Sequence, residues 1–326
     1  MNMEVVGFLD LLTGYQPAMA IIAARRLRLF DALSATPQGL DEIATVLGAD
    51  DGALGALLRA LVGIGLVTQD DAGYSATTFV TSHLADDRDL ALVVDKEDYF
   101  ARAWLSLDEV ARSGRPALDP WRHRIEGDPE TASMFLEALN VLAEHTGPPL
   151  WELPELRSAK RILDVGGGFG FYANRLASSG ATVVLVDLPE VIEMLARRLS
   201  PIPAGSVELV AADVMAAPSC GVPPGSVDAA LVSHMLHDLS EAEGIRLLQR
   251  VILAVKPGGS VVVNDFAGEV GPGAFGPMFD VMMRVETGGA AYPLATLRST
   301  LESAGLQKVQ VAGFPEPATV LIGRVA

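Results

Sequence analysis

The stretch DVGGGFG, residues 164–170, joins an apolar run to a helical one and carries glycines at alternate positions. Glycine allows the backbone to turn sharply and to approach a ligand closely. In a doubly wound sheet, such a loop leaves a strand end and enters the crevice that binds adenosine-containing ligands. The bland alternative is a tight strand-to-helix turn. The spacing discriminates further. Gly166, Gly168 and Gly170 read G-x-G-x-G, whereas a dinucleotide fingerprint places its third glycine at 171, which here is Phe171.

Two carboxylates downstream strengthen the reading. Asp187 closes the apolar run ATVVLVD, 17 residues beyond Gly170, where an acid accepts both hydroxyls of an adenosyl ribose. Asp213 closes the next run, with Val214 or Met215 placed to lie against an adenine ring. With no diphosphate to cradle, the loop suits the amino-acid and ribose parts of S-adenosylmethionine. The expected cofactor contacts are Asp164, Gly166, Gly168, Gly170, Asp187, Leu188, Asp213, Val214 and Ser233.

These residues need a sheet to bring them together. From Arg161 onward, strand-like and helical runs alternate: RILDVGG, ATVVLVDLP, VELVAADV, VDAALVSHML and GSVVVNDF are strands, separated by helices such as EGIRLLQRVILAV. Buried Val, Ile and Leu runs alternating with helices predict an α/β domain, a Rossmann-like, doubly wound and mostly parallel sheet covered on both faces. The closing pair, QKVQVAGF and ATVLIGRVA, is joined by a short Pro-containing turn, so one member runs antiparallel. Upstream, residues 17–35 read as a helix. Asp41 and Asp50 or Asp51 are placed to cap two more, and GLVTQDDAGYSATT reads as a hairpin turning through Asp71, Ala72 and Gly73. Helices followed by a hairpin make a winged-helix pattern. The expected organisation is a mainly helical domain over 1–100, a helical linker and substrate-lining region over 101–155, and the cofactor domain over 156–326.

Composition narrows the partners. The 326 residues are 50% apolar and 20% charged, with a formal net charge of −17. Such an acidic chain is a poor match for nucleic acid or an anionic membrane. Residues 1–100 carry 15 acidic against 6 basic side chains, a net of −9, so a DNA-binding regulator is disfavoured and dimerisation through apolar helices is the expected use. A lone cysteine, Cys220, suits a reducing cytoplasm. The N-terminal residues lack a signal-peptide pattern, and the apolar stretch 17–24 is too short to span a bilayer.

At these residues the chain resembles the S-adenosylmethionine-dependent O-methyltransferases of plant phenolic and bacterial polyketide metabolism. DVGGGFG and VDLPEV are similar to that family's glycine loop and D-L-P-x-V segment, SHMLHDLSEAEGIRLL (233–248) to its catalytic segment, and KPGG (256–259) to the turn before the fifth strand. The resemblance covers nearly the whole chain. It implies a homodimer built through the winged helix, and a catalytic base at His237. The family's glutamate at the end of strand five falls on Asp265, which keeps the charge and shortens the reach. Three positions depart: the usual strand-four lysine is Ser233, the aromatic residue after His-Asp is Leu239, and the second glutamate falls on Ala291, leaving Glu286 as its substitute.

Methyl transfer from a sulfonium needs alignment and removal of a proton from a weak nucleophile such as a phenol. A histidine is a serviceable base at neutral pH. His237 is assigned that part, Asp265 orients its imidazole, and Glu286 completes the catalytic set. Asp238 reads as a backbone-capping or helix-starting residue and His234 as core or cofactor-adjacent. The expected substrate wall takes Met134, Phe135 and Leu139 from the helical middle, and Met278, Phe279, Met282 and Met283 from a later helix. Methionine moulds to flat rings, although such a stripe is also an ordinary core. Asp280 either meets the substrate or anchors its helix. The competing enzyme readings are a C-methyltransferase, metal-assisted on an α-keto acid through His237, Asp238 and Glu286, and a relative that binds the cofactor without methylating. The expected site holds no metal.

Overall fold

A computed structural model describes residues 4–198, 206–269 and 275–326. Its contacts divide the chain into two units, Met1–Ala101 and Arg102–Ala326. The helices between Leu107 and Arg157 therefore pack with the C-terminal unit.

In the N-terminal unit, helices Tyr15–Arg26, Leu29–Ala32, Leu40–Leu47 and Asp51–Gly63 enclose a core of Leu29, Phe30, Ile43, Leu54, Leu58 and Leu61. The single helix expected over 17–35 is broken at Leu27 and Arg28, where Arg28 turns left-handed. Asp50 caps as expected, accepting from the Ala53 N–H at 2.9 Å. Asp41 does not cap: Gly39 holds that position, and Asp41 lies one residue inside the first turn, where its charge still favours the helix N-terminus. Strands β1 (Val67–Asp70) and β2 (Gly73–Ala76) form the hairpin. Asp70 accepts from the N–H groups of Ala72 and Gly73. Helix Val5–Thr13 buries no side chain and exposes Val5, Val6, Phe8, Leu11 and Leu12. With Tyr15–Arg26 it makes a run, Val5–Arg26, long and apolar enough by composition to cross a membrane, longer than the 17–24 stretch singled out in the sequence.

The C-terminal unit holds β3 (Arg161–Val165), β4 (Thr182–Asp187), β5 (Val207–Ala211), β6 (Val227–Ser233), β7 (Val255–Phe266), β8 (Gln307–Ala312) and β9 (Ala318–Arg324), in spatial order β5-β4-β3-β6-β7-β9-β8. The first five are parallel, and β9 enters antiparallel between β7 and β8. Alternate residues face opposite layers. Leu163 and Val165 pack with Leu247, Leu248, Val251 and Leu301, while Ile162 packs with Phe171 and Leu176 on the other face. Both faces being dry explains why these strands read as unbroken apolar runs. Chain order reverses beside β3, which has β4 on one side and β6 on the other. A crevice opens at such a switch point, at the carboxyl ends of the strands.

Candidate active site

The glycine loop leaves β3 with Gly166, Gly168 and Gly170 all left-handed, at φ 65°, 53° and 80°. That conformation is cheap only for glycine and explains the alternate spacing. The Gly166 N–H donates to the Val186 carbonyl at 2.8 Å, and Gly170 precedes helix Phe171–Ser178. Phe171, which replaces the dinucleotide glycine, is buried edge-on against Trp151 and Tyr172. Asp187, at the end of β4, accepts from the Gly168 N–H at 2.8 Å and from Leu188 at 2.7 Å. Asp187 and the glycine loop are thus one rigid piece. A side chain at 168 would meet only Leu136, at 3.8 Å, so the loop's outer surface is open.

Asp164 lies beneath that loop, 2% exposed, with Oδ2 lacking a hydrogen-bond partner. Burial, reinforced by the charge of Asp187, pushes its carboxyl up to about 7. A buried carboxyl with one oxygen unpartnered, beside an open backbone cradle, suits a cationic ligand. Asp213 accepts from the Met215 N–H at 2.8 Å through Oδ1. Its Oδ2 meets Arg122 at 2.8 Å, a partner the sequence reading lacked. Arg122 belongs to helix Trp121–Gly127, whose Trp121 and Ile125 pack with Leu136, Leu188, Val191 and Met194. Val214 is buried in the sheet core, and Ser233 ends β6, where it accepts from the Asn264 side chain at 2.9 Å.

After β6 the chain passes through left-handed His234 into a single helical turn, Leu236–Asp238, which presents His237. Asp265, 1% exposed near the end of β7, lies under that turn. Its Oδ1 is 2.6 Å from His237 Nδ1, and its Oδ2 accepts from the backbone N–H groups of Leu236 and His237. The short aspartate reaches because the turn itself is bonded down onto it. Nδ1 then carries a proton, and Nε2 is left as the basic nitrogen. Burial alone lowers the imidazole pKa. The charges of Asp265, Asp238 and Glu286, with the Asp265 hydrogen bond, outweigh that and raise it to about 9.

Glu286 ends helix Phe275–Glu286 and is buried, and its charge acts on His237. Ala291, where the second family glutamate falls, is buried against Phe279 and Met283. Asp238 is not a cap. Ser240 begins helix Glu241–Ala254 through a capping box with Glu243, while Asp238 Oδ2 stands 3.8 Å from His237 Nε2. Asp280 accepts from the Ala291 N–H at 2.9 Å and so anchors its helix to the 287–291 loop. That loop also backs the histidine. The Ala290 N–H donates to the His237 carbonyl at 2.8 Å, and a Cβ on Gly289 would overlap the same oxygen.

The proposed substrate wall divides. Phe279 packs edge-on against His237, with centroids 5.1 Å apart, and joins Phe266 and Phe275 in an aromatic cluster. Met283 is buried beside it and Met282 partly so. Met278 is 53% exposed and Leu139 42% exposed, and neither is among the residues packed with Phe279 and Met283. Met134 is half-buried, and Phe135 packs edge-on against Trp121 instead. Leu136, on the same helix, is the side chain that a Cβ at Gly168 would meet. His234, His237 and Asp265 also bring one potential ligand atom each within 4.8 Å of the others. His237 Nδ1 among them is already engaged by Asp265, and His234 Nε2 lies 3.2 Å from the Asn264 amide.

Comparison with known proteins matches residues 114–307 to an O-methyltransferase domain and residues 9–86 to an O-methyltransferase dimerisation domain. The chain is 30% identical, over 94% of its length and 91% of the relative's, to the 3-hydroxy-5-methyl-1-naphthoate 3-O-methyltransferase of Streptomyces sahachiroi. It is also 30% identical to the 3-amino-4-hydroxybenzoate 4-O-methyltransferase of Streptomyces cremeus, over 94% and 86% of the two chains. Human N-acetylserotonin methyltransferase, solved with its S-adenosylmethionine, shares the fold at a TM-score of 0.87 and 20% identity, over 99% and 98% of the chains.

Proposed function

The chain belongs to the S-adenosylmethionine-dependent O-methyltransferase family, and on that premise we propose that it methylates a phenolic hydroxyl of a small aromatic metabolite with His237 as general base. The observation that carries this reading is the buried pair of His237 and Asp265, 2.6 Å apart at the carboxyl ends of β6 and β7. The substrates named for the two Streptomyces relatives are hydroxylated aromatic acids, which favours the same class here.

The bound cofactor supplies an electrophilic methyl group on a positively charged sulfur. Asp164 and the backbone of Gly166, Gly168 and Gly170 would hold its amino-acid end, Asp187 its ribose and Asp213 its adenine. His237 Nε2 takes the phenol proton. An imidazole near 9 facing a phenol near 10 makes that transfer close to thermoneutral, where a general base works well. Asp265 holds the imidazole orientation and stabilises the imidazolium that forms. Asp238 and Glu286 add to the same stabilisation. Phe279, Phe266 and Met283 offer an apolar wall for a flat ring. In this reading Nε2 is the nitrogen that takes the phenol proton, so it is not assigned to a metal.

The dimerisation domain supports a homodimer in which the apolar surface of helix Val5–Thr13 is covered by a second copy. The free, buried Cys220 and the acidic surface support a cytoplasmic enzyme without nucleic-acid or membrane partners. The test is transfer of an isotope-labelled methyl group from the cofactor to a panel of hydroxy-naphthoates and hydroxybenzoates, with the new methyl located by NMR. A methyl on oxygen supports the proposal. A methyl on carbon, or full activity in His237→Ala, overturns it.

A further inference from the structure

His234 stands three residues before the proposed base, and its surroundings differ from those of an ordinary core histidine. It is a non-glycine residue in the left-handed region, φ 55°, a conformation that carries strain unless neighbours enforce it. Asn264, 0% exposed on β7, is the enforcer. Its carbonyl accepts the His234 N–H at 2.8 Å, and its Nδ2 donates to Ser233 Oγ at 2.9 Å and to His234 Nε2 at 3.2 Å. With its amide nitrogen toward the ring, Asn264 leaves Oδ1 unpartnered and makes His234 Nε2 the acceptor, so the ring proton sits on Nδ1. The ring lies on Phe266, with centroids 4.6 Å apart, and 6.0 Å from the ring of His237.

Two histidines, His237 buried and His234 half-buried, therefore share one region with opposite partners. A carboxylate stands behind His237, and an amide donor stands against His234. We propose that His234 is a positioning residue, locked by Asn264 as a neutral Nδ1–H imidazole, so that Asp265 and the proton of the reaction belong to His237 alone. The charged and titratable groups facing His234 are Asp265, from β7, and His237, from the turn after β6. Burial pushes its pKa down to about 4, against the raising influence of Asp265, in keeping with the geometry. A cation at 234 would compete for Asp265 and oppose protonation of His237.

This inference deepens the proposed role of His237, but its first test is independent of that role. In the intact protein with 15N-labelled histidine, the His234 signals are identified by their loss in His234→Asn, since asparagine tolerates the left-handed backbone. The expected result is a neutral ring, protonated on Nδ1, unchanged from about pH 5 to 9. A proton on Nε2, or titration within that range, overturns the proposal. The second test is the pH–rate profile of Asn264→Ala. Freed of its donor, His234 takes up a proton, and the profile gains a second ionisation on its acid side while kcat falls about tenfold or more. Adding His234→Asn removes that ionisation. If Asn264 only packs the strand, kcat falls with no new ionisation, and the proposal fails. Should Asn264→Ala not fold, the labelled native protein decides. Failure of the base assignment reads separately, as activity retained in His237→Ala.

Discussion

Asp265 touches the residues it supports by two routes: Oδ1 holds the His237 side chain at 2.6 Å, and Oδ2 holds the backbone of the turn that carries it. Ring and backbone are fixed by one fully buried carboxylate. Asn in its place keeps the size and loses the charge. Asp265→Asn is expected to reduce kcat by about 10²- to 10⁴-fold. It also moves the acid limb of the pH–rate profile to lower pH, because the chief influence raising the imidazole is gone. An unchanged profile midpoint counts against the pairing.

The same pair sets a pH window. The folded pKa of His237, about 9, lies above the unfolded value of 6.5. Stability from this group is therefore fully present below pH 6.5 and lost as pH rises through 9. Base catalysis runs the other way, so kcat/KM for the native enzyme rises toward a midpoint near 9. Thermal melts and initial rates across pH 6 to 10 should move in opposite directions, and His237→Gln should abolish the rate dependence and leave only the part of the melt dependence that Asp164 sets.

Asp164 predicts a trade between stability and binding. Its folded pKa, about 7, exceeds the ordinary 3.8, because burial disfavours the charge. The favourable linkage is complete below pH 3.8 and disappears as pH rises through 7, so at pH 8 the ionised group is a cost. Asp164→Asn is expected to melt higher than the native protein at pH 8 without cofactor. It should lose most of the further rise that S-adenosylhomocysteine gives. A variant that melts lower and still responds to the ligand excludes this role.

Gly289 lies against the carbonyl of His237, with no room for a Cβ. Gly289→Ala should cost about 1 kcal/mol or more in stability and displace the turn bearing the base, lowering kcat. Gly305→Ala, also at a glycine but far from that turn, serves as the comparison for activity. Equal kcat in the two variants would show that the 287–291 loop does not position His237.

The ion pair of Arg122 with Asp213 is partly exposed, at 48% and 36% of the two side chains. Such pairs contribute about 0 to 1 kcal/mol. Arg122→Gln should therefore weaken cofactor binding by less than about tenfold, increasingly so at low salt, as read by titration calorimetry. Asp213→Ala, which removes the acceptor itself, should weaken it more.

The sequence by itself determined the sheet, the glycine loop, the three strand-end acids and His237. Each of these depends on local signals: unbroken apolar runs, glycines at φ-positive positions, and carboxylates at strand ends. The pairing of Asp265 with His237 was also legible, because parallel neighbours β6 and β7 bring their carboxyl ends side by side. What tertiary structure alone decided were relations between segments distant in the chain. Arg122 meets Asp213 across 91 positions, Asn264 clamps His234 across 30, and Gly289 lies under His237. No periodicity marks these contacts, since they depend on how a helix, a strand end and a loop come together around the sheet. Helical phase also escaped the composition of the methionine stripe: Phe279 and Met283 turn inward while Met278, one residue away, faces solvent. A helix turns about 100° per residue, so naming the stripe does not name its buried side. The packing of Phe266, Phe279 and Ala291 chose it.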